Sequence, residues 1–513
     1  MRRYRLRLSI LLAACLLVLT CCGEEPPPVS TPAPAPTSAS APPVPEPVDF
    51  ALACYPDSSF HPITGDNRTN LNLGGLLYEG LFALDQQFQV HPVLCQSYTA
   101  SEDGRIWTFE LKPDVSFSDG SPLTAAVAAA ALEEARTSPL YASRLADVTA
   151  VRPGEGNVVL TLRTPNGNLP ALLDIPISKG GGDRPLGTGP YLLEEAEDGL
   201  RLRARPDRAG TLPRAVIPLY GVQAADGLIQ AFDTRAVALV STDLTGSGAL
   251  GFSGSYETID YPTSTMAFVG FQTETGPCRD SAVRQALQRA ADRETMTSVL
   301  LARHALPAAL PAAPGSVLYH DDVAEALSFS PAEAEALLDT GGWLPGEDGI
   351  RQKGRERLEL TLVVPGDNAV RVALAEQLAE ALGNLGMAVT VRRLPWEGYL
   401  EALNQGEFDL YLGEVRMTAD FDPSVLMAPG GALNYGGYAG AEALEALEKF
   451  RAASGQARTL AAKNLYRRLA EDPPFAVLCF KNWSVLIQWK QLSGLTPTQQ
   501  NIFYDFTRWN IAQ

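Results

Sequence analysis

The sequence predicts an α/β protein with more than one lobe, and three observations lead there. At 513 residues the chain is too long to close around a single hydrophobic core. Leu358, Leu360, Leu362 and Val364 alternate as a strand, Val370, Leu374, Leu378, Leu382 and Leu385 recur at helical spacing, and Val389 and Val391 resume alternation. That is a β-α-β unit. Trp396–Leu403 then reads as a helix and Phe408–Leu412 as another strand, so this region is predicted to be an α/β layer on a largely parallel sheet.

Arg2, Arg3, Arg5 and Arg7 precede an apolar run from Leu8 to Leu19, which ends in Thr20-Cys21-Cys22-Gly23. Residues 1–22 have the form of a secretory signal. A cysteine directly after the apolar core resembles a bacterial lipobox, in which that residue becomes diacylated. Cys22 is the expected lipidation site, with Cys21 the alternative. Residues 23–47 are rich in Pro, Ala, Ser and Thr and have almost nothing to bury, so they read as a linker. Extended at about 3.1 Å per residue, it would span up to roughly 75 Å.

The formal charge of −18 repels phosphate backbones, and no nucleic-acid partner is expected. Cys54, Cys95, Cys278 and Cys479 are widely separated, with no Cys-x-x-Cys spacing for a metal, and sequence leaves both disulfides and buried thiols open. His61, His91, His304 and His320 form no ligand pair, so no metal or other cofactor is expected.

The most legible passage is Trp107–Thr124, where Trp107, Phe109 and Leu111 alternate with Thr108, Glu110 and Lys112, Asp119-Gly120 makes a turn, and a helix follows. Val148–Leu162 reads as two strands around the loop 153–157. The glycine-rich run 179–189 lacks the Lys-Ser/Thr of a phosphate loop and leads through Pro190-Tyr191 into a strand, so it reads as structural punctuation. Val269–Thr273 is a strand pattern, followed by a helix holding Arg284 and, at its end, Asp292 and Glu294, whose charges suit an ion pair within the helix or a cap. Ser330-Pro331-Ala332-Glu333 is a capping box and Gly341-Gly342 stops the helix that it starts. Phe475–Leu486 and Phe503–Trp509 are apolar strand patterns.

Four phrases together carry a family resemblance: Tyr78-Glu79-Gly80-Leu81; Trp107–Leu111 with Phe117–Ala125; Gly187-Thr188-Gly189-Pro190-Tyr191; and Val269–Thr273 with the helix through Arg284 to Glu294. They resemble the family 5 extracytoplasmic solute-binding proteins of peptide-type ABC importers, over most of residues 50–513. The resemblance implies a two-lobed, periplasmic-binding-protein-like (type II) α/β fold with an extra small inserted lobe. Its implied layout is a first lobe from residues 48–76, 186–265 and 481–513, a small lobe from 77–185, and a second lobe from 266–480.

Ligands of open α/β sheets gather outside the carboxyl ends of the strands. Gly413–Pro423 follows such a strand and holds Asp420 and Asp422. By the resemblance, Asp420 is the carboxylate that meets a peptide's amino group; as plain structure, Asp422-Pro423 would cap a helix and Asp420 would bend a loop. Trp396 stands where the family keeps a cleft tryptophan, with simple packing the alternative, and Tyr435, within Asn434–Tyr438, is a candidate for aromatic lining, although glycine-rich turn chemistry alone would explain that loop. The family's Gly-Trp before the aspartate is Arg416-Met417 here.

Catalytic signatures are missing: there is no Gly-x-Ser-x-Gly elbow, no His-Glu-x-x-His and no spacing of carboxylates for glycoside hydrolysis. The resemblance implies a non-enzymatic, monomeric lipoprotein on the outer face of the cytoplasmic membrane, held to the membrane surface by its lipid. It would capture a short peptide and deliver it to an ABC permease with its ATPase subunits. A metal chelate, haem or oligosaccharide is the alternative solute, and a surface sensor or scaffold the alternative role.

Overall fold

The alternation Trp107, Phe109, Leu111 becomes the strand Ile106–Leu111 with those three side chains buried. Asp119 Oδ1 accepts from Ser121 N at 2.9 Å, Gly120 turns the chain at φ +83°, and Thr124 caps the helix Ala125–Ala135 by accepting from Val127 N at 3.3 Å. This strand pairs with Cys95–Ala100 on one side and Asn157–Leu162 on the other, and Val148–Pro153 completes an antiparallel four-stranded sheet. The helix closes one face around Phe82, Phe109, Leu132 and Leu160. A computed structural model describes residues 50–512 other than residue 198.

A second four-stranded sheet runs in the order Leu52–Cys54, Val216–Gly221, Gly199–Ala204, Tyr191–Ala196, with the first pair parallel and the others antiparallel. Beside it lies the helix Arg68–Leu77, whose first turn is capped by Asn67. The chain reaches this sheet through Gly187 and Gly189. A Cβ on Gly187 would stand 1.9 Å from the Leu77 carbonyl oxygen, so glycine there permits a close approach to the end of that helix.

The third sheet has seven strands. The β-α-β unit read from the sequence is Glu359–Pro365, helix Ala369–Gly383 and Ala388–Leu394, its strands parallel, and Leu410–Arg416 adds a third parallel strand after helix Trp396–Gln405. The expectation of a largely parallel sheet holds only for these three. Tyr256–Phe271 and Phe475–Gln488, 16 and 14 residues long, pair antiparallel with each other, and the first also pairs antiparallel with Leu410–Arg416. Where both faces of such strands are covered they form continuous apolar runs, the pattern a parallel strand also shows, so sequence does not separate the two. Met266 and Phe268 enter one core while Ala267, Val269 and Phe271 enter the opposite one.

Two further expectations change. Arg284 makes no ion pair within its own helix; it pairs with Asp472 and donates to the Pro473 carbonyl at 2.8 Å, tying Ser281–Ala290 to the chain before Phe475. Asp292 is the cap, accepting from Thr295 N at 3.1 Å. Phe503–Trp509 is not a strand but ends in a short 3-10 turn, Phe506–Arg508. Phe503, Phe506 and Trp509 recur every third residue, a turn spacing that sets successive rings edge to face at 5.9 and 4.9 Å between centroids. Cys54, Cys95, Cys278 and Cys479 are buried free thiols.

Candidate functional site

The two long antiparallel strands pass from one half of the molecule to the other. Their outer ends bring Tyr261, Val485 and Ile487 into the core of the four-stranded sheet with Leu52 and Tyr191, while their inner ends serve the seven-stranded sheet. Between Pro262↔Asn482 and Met266↔Phe480 the register breaks, and Thr263 Oγ1 donates to the Lys481 carbonyl at 2.7 Å. A bulge at this point bends both strands together.

Cavities open on both sides of the break. One, of about 460 Å³, is lined by Tyr55, Ser247, Asn368, Arg371, Glu414 and Lys481. The other, of about 390 Å³, is lined by Arg68, Tyr141, Arg144, Asp174, Arg416 and the segment Thr498–Asn501. A narrow space of about 30 Å³ lies between them, bounded by Arg68, Thr265, Arg416, Trp483 and Gln499. Arg68 borders all three, so the cavities adjoin at its side chain.

The two ends differ in charge. In the larger cavity the buried Lys481 ammonium meets Asp243 at 2.8 Å and Glu414 at 3.4 Å, and Arg371 meets Glu414 at 3.3 Å, so both of these cations have carboxylate partners. Around the other cavity stand Arg68, Arg144 and Arg416, with Asp174 as the partner of Arg144 alone. Burial pushes the Asp174 carboxyl upward, opposed by Arg144 and then Arg416. Among the described residues neither Arg68 nor Arg416 pairs with a carboxylate; Arg416 donates to Gln500 Oε1 at 3.1 Å and Arg68 lies over the Trp483 ring at 4.4 Å. Arg68 Nε is buried and lacks a hydrogen-bond partner. Arg416 still reaches solvent through the cleft, yet surrounding protein, then Arg144 and Arg68, push its guanidinium down to about 10.

Asp420, Trp396 and Tyr435 line none of these three cavities. Asp420 is 1% exposed; Asn166 Nδ2 donates to its Oδ2 at 2.9 Å, and Arg458 Nη2 stands 3.6 Å from the same oxygen while donating to the Asp420 carbonyl at 2.9 Å. Oδ2 of the carboxylate expected to meet a ligand ammonium is thus engaged by protein groups, while Oδ1 is buried without a hydrogen-bond partner. Trp396 is 48% exposed and stacks on Tyr399 at 5.7 Å, and half-buried Tyr435 meets Tyr411 edge-on at 5.8 Å. Cys22, with the alternative Cys21, lies outside the described residues.

Sequence reasoning missed Arg68, Lys481 and Thr498–Asn501. Lys481 had a signal: it is a cation inside the apolar run of Phe475–Leu486. Arg416 was visible as a departure from the family's glycine. Arg68 and Thr498–Asn501 carry no local pattern, and only the folded chain brings them together.

Comparison with known proteins places this architecture. The model of the bacterial extracellular solute-binding proteins, family 5 middle region, matches residues 89–435. Protein XP55 of Streptomyces lividans is 29% identical over 465 residues, covering 84% of this chain and 83% of that one. The oligopeptide-binding protein AppA of Bacillus subtilis is 23% identical over 492 residues, covering 88% and 90%. Among solved structures, NikZ from Campylobacter jejuni, in complex with Ni(L-His), superposes with a TM-score of 0.61 at 20% identity, over 91% of this chain and all of that one.

The chain belongs to the family 5 bacterial extracellular solute-binding proteins and has their two-lobed type II fold. It is a binding protein of a transport family, not an enzyme. No helix among the described residues is long and apolar enough to cross a membrane.

Proposed function

We propose that this protein captures a small solute, a short peptide in the first instance, in the cleft around Arg68 and delivers it to an ABC permease with its ATPase subunits. The observation that carries this reading is that three cavities adjoin at Arg68 beside the register break in the two long strands. Residues 48–76, 186–265 and 481–513 act as one lobe, 266–480 as the other and 77–185 as the small inserted lobe, and the break at 263–265 serves as the hinge. A solute that touches both sides binds the closed form better and shifts the open-closed equilibrium by that difference in affinity. The neutral hydrogen-bonding side chains of Thr498, Gln499, Gln500 and Asn501 on one wall suit a peptide backbone. A diacylated Cys22, with Cys21 the alternative, would hold a monomeric body to the outer face of the cytoplasmic membrane through the 23–47 linker.

Native mass spectrometry of residues 48–513 tests capture. Heterogeneous peptide masses that co-purify and are released on unfolding support it. A body that is empty and shows no thermal shift with a peptide library counts against it.

A further inference from the structure

The charge around the smaller cavity is uneven in a way that the rest of the acidic protein is not. Arg68, Arg144 and Arg416 come from three separate stretches of chain, before the small antiparallel sheet, within its segment, and at the end of the seven-stranded sheet's third parallel strand. Asp174 is buried and paired with Arg144, and the other two carboxylates that line the cavity have partners elsewhere, Glu79 with Arg208 at 3.9 Å and Asp505 with Arg508 at 3.4 Å. Arg68 and Arg416 therefore bring two guanidinium groups to one narrow space without an anion of the protein's own. Like charges so placed repel, and partial removal from water raises the cost. At the other end of the cleft, by contrast, Lys481 and Arg371 each have a carboxylate.

We propose that Arg68 and Arg416 are the specificity residues for a carboxylate on the solute, and that this anion lets the two cations approach as the lobes close. The inference deepens the capture reading and rests on it. A planar guanidinium presents paired N–H donors that match the two oxygens of a carboxylate, and a partly desolvated site strengthens the contact. Trp483 packs against the Arg68 guanidinium at 4.4 Å, and Gln500 Oε1 accepts from one N–H of Arg416 at 3.1 Å. The Arg144–Asp174 pair fixes the third side without net charge. Recognition accordingly centres on the anionic end of the solute, while Asp420, the expected partner for an amino end, is buried outside these cavities with its Oδ2 against Asn166 and Arg458.

The test uses residues 48–513 and a tripeptide library in two forms, with free C-terminal carboxylates and with C-terminal amides, read by native mass spectrometry. The wild type is expected to retain the free acids at least about tenfold over the amides, the size of one charge-assisted contact. In Arg68→Gln and Arg416→Gly that preference falls toward unity, and in Arg416→Lys part of it returns; thermal melts of the unliganded variants confirm that they fold. Equal retention of acids and amides by the wild type overturns the carboxylate clamp and leaves capture standing. Retention of neither form overturns peptide capture and the clamp with it.

Discussion

Asn166 Nδ2 donates to Asp420 Oδ2 at 2.9 Å, joining residues 254 positions apart. Around this bond the small antiparallel sheet's segment and the C-terminal helices are sewn together: Gly167 N donates to the Arg451 carbonyl at 2.7 Å, Arg451 pairs with Asp147 at 2.5 Å and Asp422 at 2.8 Å, and Arg458 lies beside Asp420. Asp420 is a structural keystone of this joint, and its removal is expected to be felt as stability rather than specificity.

Asp420→Ala leaves the buried Arg458 without its counter-ion and is expected to cost about 3–5 kcal/mol. Asn166→Ala leaves the carboxylate in place and is expected to cost about 1–3 kcal/mol. Urea titrations give both values. Preference for acid over amide in whatever solute still binds should be unchanged in both variants; a selective loss of free-amine peptides in Asp420→Ala would instead give Asp420 the ligand role.

Gly167→Ala is expected to open the same joint by crowding. A Cβ there would stand 1.9 Å from the Ala453 carbonyl oxygen, and backbone cannot yield as a side-chain tip would. A loss of about 1–3 kcal/mol is expected. Differential scanning calorimetry reads it, and a melting temperature equal to wild type would show that the two segments do not meet as described.

The large-scale plan was legible because it rests on short-range patterns. Trp107, Phe109 and Leu111 sit on one face of a strand, Thr124 and Ser330 cap helices, and the parallel pair with its helix follows directly from apolar spacing. The cleft was not legible, because its charges are placed by tertiary pairing. Arg68 opens a helix, Arg416 ends a strand and Gln499 sits in a C-terminal loop, and nothing local says that they face one another. The surroundings of Asp420 were not legible for the same reason: its partners, Asn166 and Arg458, are 254 and 38 residues away.

Asp409 gives a pH prediction. Burial raises its carboxyl above the ordinary value near 3.9, against the hydrogen bond that it accepts from Thr361 N at 2.8 Å. For a carboxyl raised on folding, the folded state holds the proton more tightly. Its contribution is therefore full below the unfolded value and is lost as pH rises through the folded one. Asp409→Asn cannot ionise, so its stability relative to wild type should climb as pH rises from about 4 toward neutrality. Melting temperatures across that range check the sign; a relative stability that falls with pH would contradict it.

The four body thiols should be inert in the native protein. Burial pushes Cys54 and Cys95 up to about 11 and Cys479 to about 12, and raises Cys278 as well. Iodoacetamide at about pH 8 should label none of them until the chain is unfolded, and then all four. Rapid native labelling of any one would show that its element opens locally.

The solute is expected to sit between Arg68 and Arg416. A crystal structure of residues 48–513 with its co-purified solute tests this most directly. The expected result is ligand density in the cleft bordered by Arg68, Arg416 and Gln499, with a carboxylate against the two guanidinium groups. Density against Asp420, Trp396 or Tyr435 with that cleft empty would contradict it.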